Sequence, residues 1–274
     1  MLMRDYLPLY LQASPEIRGS QLCRLNAMQR ESIGKCQAPP SAKQVIDYVK
    51  ERRLTVAAST AAQDVIYLRG ALEYAKHGLG IDGISAACIT EAMPILRRQR
   101  LIGSSQRRSR MPTEDETSRI VAHVGGLLAE VIAFQYYSAR RISETCRLQW
   151  GDLAGRTILV RGMKNPRVKG GINKLVALPD EAWEIIKRQP RMTTVSDERI
   201  FKGALPKTVS AAYRRACNAL GITDLHLHDS RRGCATRIMQ EGKSVPQAML
   251  VTGHLSPNML LTVYNGLKAE DYHA

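Results

Sequence analysis

Two β-branched runs, RTILVRG at 156–162 and INKLVAL at 172–178, are joined by MKNPRVKGG, a segment rich in turn residues. They predict one antiparallel hairpin with a long loop. Elsewhere the apolar residues recur at helical spacing between capping residues and glycine stops. A single hairpin in helical surroundings narrows the fold more than any other feature: mainly α with a small antiparallel β-sheet.

The helical signals fall into two groups. In the first third, Ser41 caps a helix ending near Arg53, with Val45, Ile46, Tyr48 and Val49 as its apolar residues. Ser59 or Thr60 caps a second, running to about His77 and stopped by Gly78 and Gly80. A third covers 85–100, with Pro94 as a kink site. Then RRQRLIGSSQRRSRMP, residues 97–112, sets six arginines (Arg97, Arg98, Arg100, Arg107, Arg108, Arg110) around Gly-Ser-Ser. Such a run is most often a solvated segment; between two basic domains it also reads as a linker lying along a phosphate backbone. The boundaries expected are therefore a helical domain over 1–105, a basic linker over 106–111, and a second domain over 112–274. That domain opens on a capping box, Thr113 to Glu116. LLAEVIAFQYYS continues it as a buried helix. After the hairpin, helices are expected at 180–188, about 207–220, 229–240, 245–251 and beyond Ser256-Pro257.

Charge says what the surface meets. Forty Lys and Arg against 25 Asp and Glu leave +15 over 274 residues, with net +5 in 1–105 and +10 beyond. That exceeds the roughly 2–8 a small domain needs for solubility and points to a polyanion, most simply nucleic acid. Hydrophobic residues at 44% supply a sizeable core and exclude wholesale disorder. No stretch nears the roughly 20 apolar residues of a membrane span. The opening MLMRDYLPLYLQASP, interrupted by Asp5 and Pro8, lacks a signal-peptide core, so a cytoplasmic protein is expected. The six cysteines form no C-x-x-C pair, which argues for reduced thiols over a zinc knuckle or disulfide framework.

Three segments are unusual for a plain scaffold. In SARRISETCRLQW, Arg141 and Glu144 stand three apart, on one expected helix face; in HLHDSRRGCATR, His228 and Arg231 do the same; VTGHLSPNMLLTVYNG carries His254 in a Gly-His turn and Tyr264 on the helix that follows. Lys164 lies toward the hairpin tip, with Lys169 and Lys174 on the same hairpin. Guanidinium forks bind the oxygens of a phosphodiester. Histidines exchange protons near neutral pH, and a tyrosine can attack phosphorus to make a covalent ester. Singly, each is commoner as a surface, ion-paired or core residue. Together they are the set that metal-free phosphoryl transfer on a nucleic-acid backbone requires. Tyr272 is a rival nucleophile but stands far beyond His254.

The order resembles that of the tyrosine recombinase (phage integrase) family over most of 111–274. The family's Thr-Gly-x-Arg-x-x-Glu box, followed by Leu and Trp-x-Asp, is similar to Ser138-Ala139-Arg140-Arg141-Ile142-Ser143-Glu144, then Leu148 and Trp150-Gly151-Asp152. Its His-x-x-Arg box resembles His228 to Arg231, its Gly-His box Gly253-His254, and its hairpin lysine Lys164. The chain departs from the pattern at Ser138-Ala139, Ser230 and Arg232, and its His254–Tyr264 interval is one residue longer than usual.

The resemblance implies a helical core-binding domain ahead of a catalytic domain. It implies a site-specific recombinase that cleaves and rejoins duplex DNA through a 3′-phosphotyrosyl link on Tyr264. Arg141 and Arg231 would clamp the phosphate helped by His254, Lys164 would protonate the leaving oxygen, His228 would assist proton movement, and Glu144 would orient the cluster. No metal or other cofactor is implied. The partners implied are double-stranded DNA with an inverted-repeat site, a tetramer of this chain on it, and accessory DNA-bending proteins, in a bacterial nucleoid or a phage or mobile element. A topoisomerase of the same chemistry and a non-catalytic DNA-binding regulator on a degenerate scaffold are the alternatives.

Overall fold

Apolar residues at three- and four-residue spacing make helices of most of the described chain, which comprises residues 1–105, 108–165, 168–191 and 199–261 of a computed structural model. The chain divides into two units, Met1–Gln106 and Arg107–Ala274.

The first unit holds α1 (Met3–Ala13), α2 (Gly19–Met28), a 3₁₀ turn (Ser32–Lys35), α3 (Ala42–Arg53), α4 (Ala58–Leu79) and α5 (Ala87–Arg98). The spacing analysis did not anticipate α1 because Pro8 lies inside it. Met3, Tyr6, Leu7 and Tyr10 are all buried on one face. Four such side chains contribute several kcal/mol together, more than the ~3 kcal/mol an interior proline costs. Helix α3 starts at Ser41 as expected, its hydroxyl accepting from the Gln44 N–H. Helix α4 starts one or two residues before the expected caps, with Ala57 at the N-cap position. Gly78 stays helical and only Gly80, at φ +64°, ends it. Its buried face, from Ala61 to Ala75, overrides the local stop signal. Near its start Asp64 is buried against Arg24 Nε at 3.0 Å and Arg52 Nε at 2.8 Å.

The second unit runs α6 (Glu114–Val124), α7 (Gly126–Ser138), α8 (Ile142–Thr145), a 3₁₀ turn (Trp150–Asp152), β1 (Leu153–Ala154), β2 (Thr157–Asn165), β3 (Val168–Ala177), α9 (Asp180–Lys187), α10 (Pro206–Ala219), α11 (Asp229–Gln240), α12 (Val245–Thr252) and α13 (Pro257–Met259). The expected capping box is present: Thr113 accepts from the Glu116 N–H and Glu116 from the Thr113 N–H. Helix α7 is central and apolar all round. Val131, Ile132 and Phe134 join the main core, where Phe134 meets Phe201 at 5.1 Å between ring centroids. A smaller cluster of Ala139, Cys234, Ala235, Ile238, Met239, Ala248 and Leu260 joins the end of α7 to α11 and α12.

The sheet has the antiparallel order β1-β2-β3. Its hairpin is irregular in a way that matters. Val160 pairs with Lys174 and Met163 with Ile172, so β2 carries one extra residue there. Beyond it, Asn165 pairs with Val168, so β3 carries the surplus near Gly170-Gly171. Bulges redirect side chains: here Met163 turns inward and Lys164 outward. Gly171, at φ +81°, is required, since a Cβ there would sit 2.4 Å from the Met163 carbonyl oxygen. No helix among the described residues is long and apolar enough to cross a membrane.

Candidate active site

Three chain reversals converge on one cleft. The first follows α7, which ends at Ala139 in the left-handed conformation (φ 54°). That conformation costs a non-glycine residue ~1–2 kcal/mol and stands where the resembling pattern has glycine. It releases Arg140 and Arg141 into an extended segment, so Arg141 is the N-cap residue of α8 and does not share a helix face with Glu144. Glu144 is 2% exposed and reaches back, its carboxylate accepting from the Arg141 N–H at 3.0 Å and from Nη1 at 2.7 Å. Burial alone raises a carboxyl pKa. These two bonds, with the nearby Arg140 charge, outweigh it and hold Glu144 below its usual range. The guanidinium is thereby fixed and still partly open to solvent.

The second reversal leads into α11. His228 is the N-cap residue and Arg231 lies one turn in, fully buried. Arg231 Nη1 donates to the Ala139 carbonyl, tying the two reversals together. Its Nη2 meets His254 Nε2 at 3.0 Å.

The third follows α12, where Gly253 at φ +73° turns the chain into His254. A Cβ on Gly253 would lie 2.6 Å from Met163 Cε and 3.2 Å from Arg140 Nη1. The backbone angle therefore demands glycine, and a side chain there would also have to displace the Met163 methyl. His254 is 5% exposed. Its pKa is pushed down to about 3 by burial and by the surrounding cations, Arg231 first. The ring is neutral at physiological pH, so Nε2 accepts from Arg231 and Nδ1–H donates to Thr252 Oγ1 at 2.8 Å.

The resulting cleft, of about 410 Å³, is lined by Arg141, Lys164 and Arg231 around His254, with Met163, Ile172 and Gly253 as its apolar wall. No carboxylate lines it among the described residues. Two guanidiniums, an ammonium and a neutral imidazole around one cleft suit an anionic oxygen group such as a phosphodiester.

Sequence reasoning placed other residues less directly. His228 lines a neighbouring cleft with Tyr213 and Arg214. Desolvation and the Arg231 and Arg141 charges hold its pKa below the ordinary histidine value. Tyr264 lies outside the described residues, as does Arg107. Of the linker arginines, Arg97, Arg98 and Arg100 are exposed. Arg108 is committed to its own chain, donating to Asp224 Oδ1 at 2.7 Å and Asp229 Oδ2 at 3.0 Å, and Arg110 is paired with Glu116. A guanidinium holding carboxylates has few donors left for phosphate. Lys174, half-buried, donates to the His254 carbonyl at 3.0 Å. Arg140, 1% exposed, was unmarked in the sequence: beside Arg141, nothing in composition or spacing separates a structural arginine from a cleft one.

Comparison with known proteins places this geometry among relatives. A profile described as the phage integrase family matches residues 111–271. A shufflon-specific DNA recombinase of Escherichia coli is 25% identical over 178 residues, 63% of this chain and 44% of that protein. The chain thus spans less than half the length of the curated relative it matches. The structure of the Tn1549 transposon integrase in complex with transposon right end DNA superposes with a TM-score of 0.71 at 13% identity, covering 100% of this chain and 98% of that one. A lambda integrase dimer bound to a COC′ core site and a lambda integrase tetramer bound to a Holliday junction each give 0.74 at 18% identity, covering 97% of this chain and 78% of theirs. At such identities the likeness is one of fold.

Proposed function

Because the chain belongs to the phage integrase family, we propose that it is a site-specific DNA recombinase working through a 3′-phosphotyrosyl intermediate on Tyr264. The observation that carries this is the convergence of Arg141, Lys164, Arg231 and His254 on one cleft that no carboxylate lines among the described residues.

In the proposed reaction Arg141 and Arg231 hold the non-bridging oxygens of the scissile phosphate and offset the charge that grows in the transition state. The Tyr264 oxygen bonds to phosphorus as the bond to the 5′ oxygen breaks. Lys164 delivers a proton to that leaving oxygen, and His228 takes the phenolic proton. A phenol with an ordinary pKa of about 10 is a weak nucleophile at pH 7, so the neighbouring cations serve to lower the cost of its phenolate. The ester conserves the energy of the broken bond, and a 5′-hydroxyl from a second strand reverses the step with the strands exchanged. Exchange requires two duplexes, and a tetramer on inverted-repeat DNA is the assembly proposed, acting in the cytoplasm of a bacterial host. The exposed Arg97, Arg98 and Arg100 fit a phosphate backbone, making DNA affinity strongly salt-dependent.

The test uses nicked duplexes cut from the DNA flanking the gene. Wild-type protein forms a covalent adduct; Tyr264→Phe binds the same DNA and forms none. Binding without an adduct in the wild type would instead establish a regulator, and plasmid relaxation without exchange a topoisomerase.

A further inference from the structure

We propose that Arg140 and Lys174, neither of which lines the cleft, are positioning residues that grip the 251–254 turn from two sides and so place His254. The proposal rests on the recombinase reading for its catalytic consequence, but its geometry stands on the second unit alone.

Arg140 spans two helix ends. Its Nε donates to the Ser138 carbonyl at 3.0 Å, at the end of α7, and its Nη2 to the Val251 carbonyl, in the last turn of α12. Last-turn carbonyls lack intrahelical donors and carry the negative end of the helix dipole, so a cation is their natural partner. Three residues on, Lys174 reaches from β3 to the His254 carbonyl. Between these grips stands Gly253, where an added Cβ would lie 3.2 Å from Arg140 Nη1. Thr252 then fixes the ring through Nδ1. The turn is thus held at 251 from the α7 side, which leads directly to Arg141, and at 254 from the hairpin that carries Lys164.

Packing alone does not account for Arg140. No carboxylate lies within 4.0 Å of it among the described residues, and its Nη1 has no hydrogen-bond acceptor. Burying a guanidinium without an ion-pair partner is costly, and an apolar side chain of similar volume would fill the space more favourably. Burial and the neighbouring Arg231 lower its pKa to about 9, which still leaves it charged at neutral pH. Among the described residues the charges facing His254 are Arg231 on α11, Arg141 at the start of α8, Arg140 after α7, Lys174 on β3 and, across the cleft, Lys164 on β2. All are positive. Burial and these cations together keep the imidazole neutral, with Nε2 accepting from Arg231.

The test compares full-length wild type with Arg140→Met, Arg140→Lys and Lys174→Met in two measurements. The first is histidine-selective NMR without DNA. His254 should titrate about one pH unit or more higher in the two methionine variants, while His228, which faces Arg231, Arg141, Asp229 and Glu144, keeps its wild-type midpoint. The second is the rate of adduct formation on the nicked duplex from pH 5 to 8. It should fall roughly ten- to a hundred-fold in each variant, because small misplacements at a reacting centre cost that much, with half-saturating DNA unchanged. Arg140→Lys keeps the charge but cannot fork to two carbonyls, so it should lose rate without moving His254. If Arg140→Met fails to fold, Lys174→Met, at a half-buried strand position, carries the test. Wild-type titration, rate and pH profile in the variants would overturn the clamp. A wild type that forms no adduct would sink the recombinase reading, while the His254 titration still decides the clamp.

Discussion

Replacing Glu144 by alanine removes the carboxylate on which Arg141 is built. Two hydrogen bonds go with it, from the Arg141 N–H and from Nη1. Breaking a buried pair costs ~3–5 kcal/mol when the abandoned charge stays buried. Here the Arg141 side chain is 31% exposed and can turn to water, whereas that of Glu144 is 1% exposed. The expected loss is therefore about 2 kcal/mol, against total domain stabilities of ~5–15 kcal/mol. The surface pair Lys187–Glu184, 49% and 53% exposed and in the same unit, serves as the control; its removal should cost a few tenths of a kcal/mol at most. The assay is urea unfolding followed by tryptophan emission. Both tryptophans of the chain, Trp150 and Trp183, lie in the second unit, so emission reports that unit. With a urea dependence of about 2 kcal/mol per molar, the midpoint should fall by about 1 M.

The effect carries a pH signature, best read in Glu144→Gln. The folded carboxyl titrates below its ordinary value of 4.5, so the unfolded chain takes up its proton first as acid is added. The carboxylate's contribution is complete above that ordinary value and disappears as pH falls through the folded pKa. The gap between wild type and Glu144→Gln should be wide at pH 7 and narrow progressively as pH falls below 4.5. Equal midpoints at pH 7, or a gap as wide at pH 3 as at pH 7, would refute the reasoning.

Gly253→Ala combines a left-handed backbone with a Cβ 2.6 Å from Met163 Cε. It should cost about 2 kcal/mol, of which ~1–2 is backbone; thermal melts of the double variant with Met163→Ala should show non-additivity, since the two share one contact. Arg108→Ala releases 108 from Asp224 and Asp229; proteinase K should then cut at 108–110 several-fold faster, and an unchanged cleavage rate would show that this clip does not restrain those residues.

Much of the fold was legible locally. Ser41, Thr113 and Ser244 cap the helices they precede through contacts three residues away, so short sequence windows contain the whole interaction. The hairpin was legible for the same reason. Helix α1 and the start of α4 were not, because burial against other helices outweighed Pro8 in one and the Ser59 and Thr60 caps in the other. The candidate site divides in the same manner. Arg141, His228, Arg231 and His254 stood out because their chemistry is unusual and their order matches a family.

By itself, then, the sequence determined a basic, mainly helical chain with one hairpin and the set of cations and histidines available for phosphoryl chemistry. Tertiary structure alone decided which of them meet and what supports them. Arg108 went to acids more than a hundred residues away, Lys174 to a backbone carbonyl, and Arg140 joined two helix ends. The physical reason is one of range. Caps and turns are settled between near neighbours, whereas the partner of a long cationic side chain is set by whichever distant carbonyl or carboxylate the packed core brings within hydrogen-bonding distance.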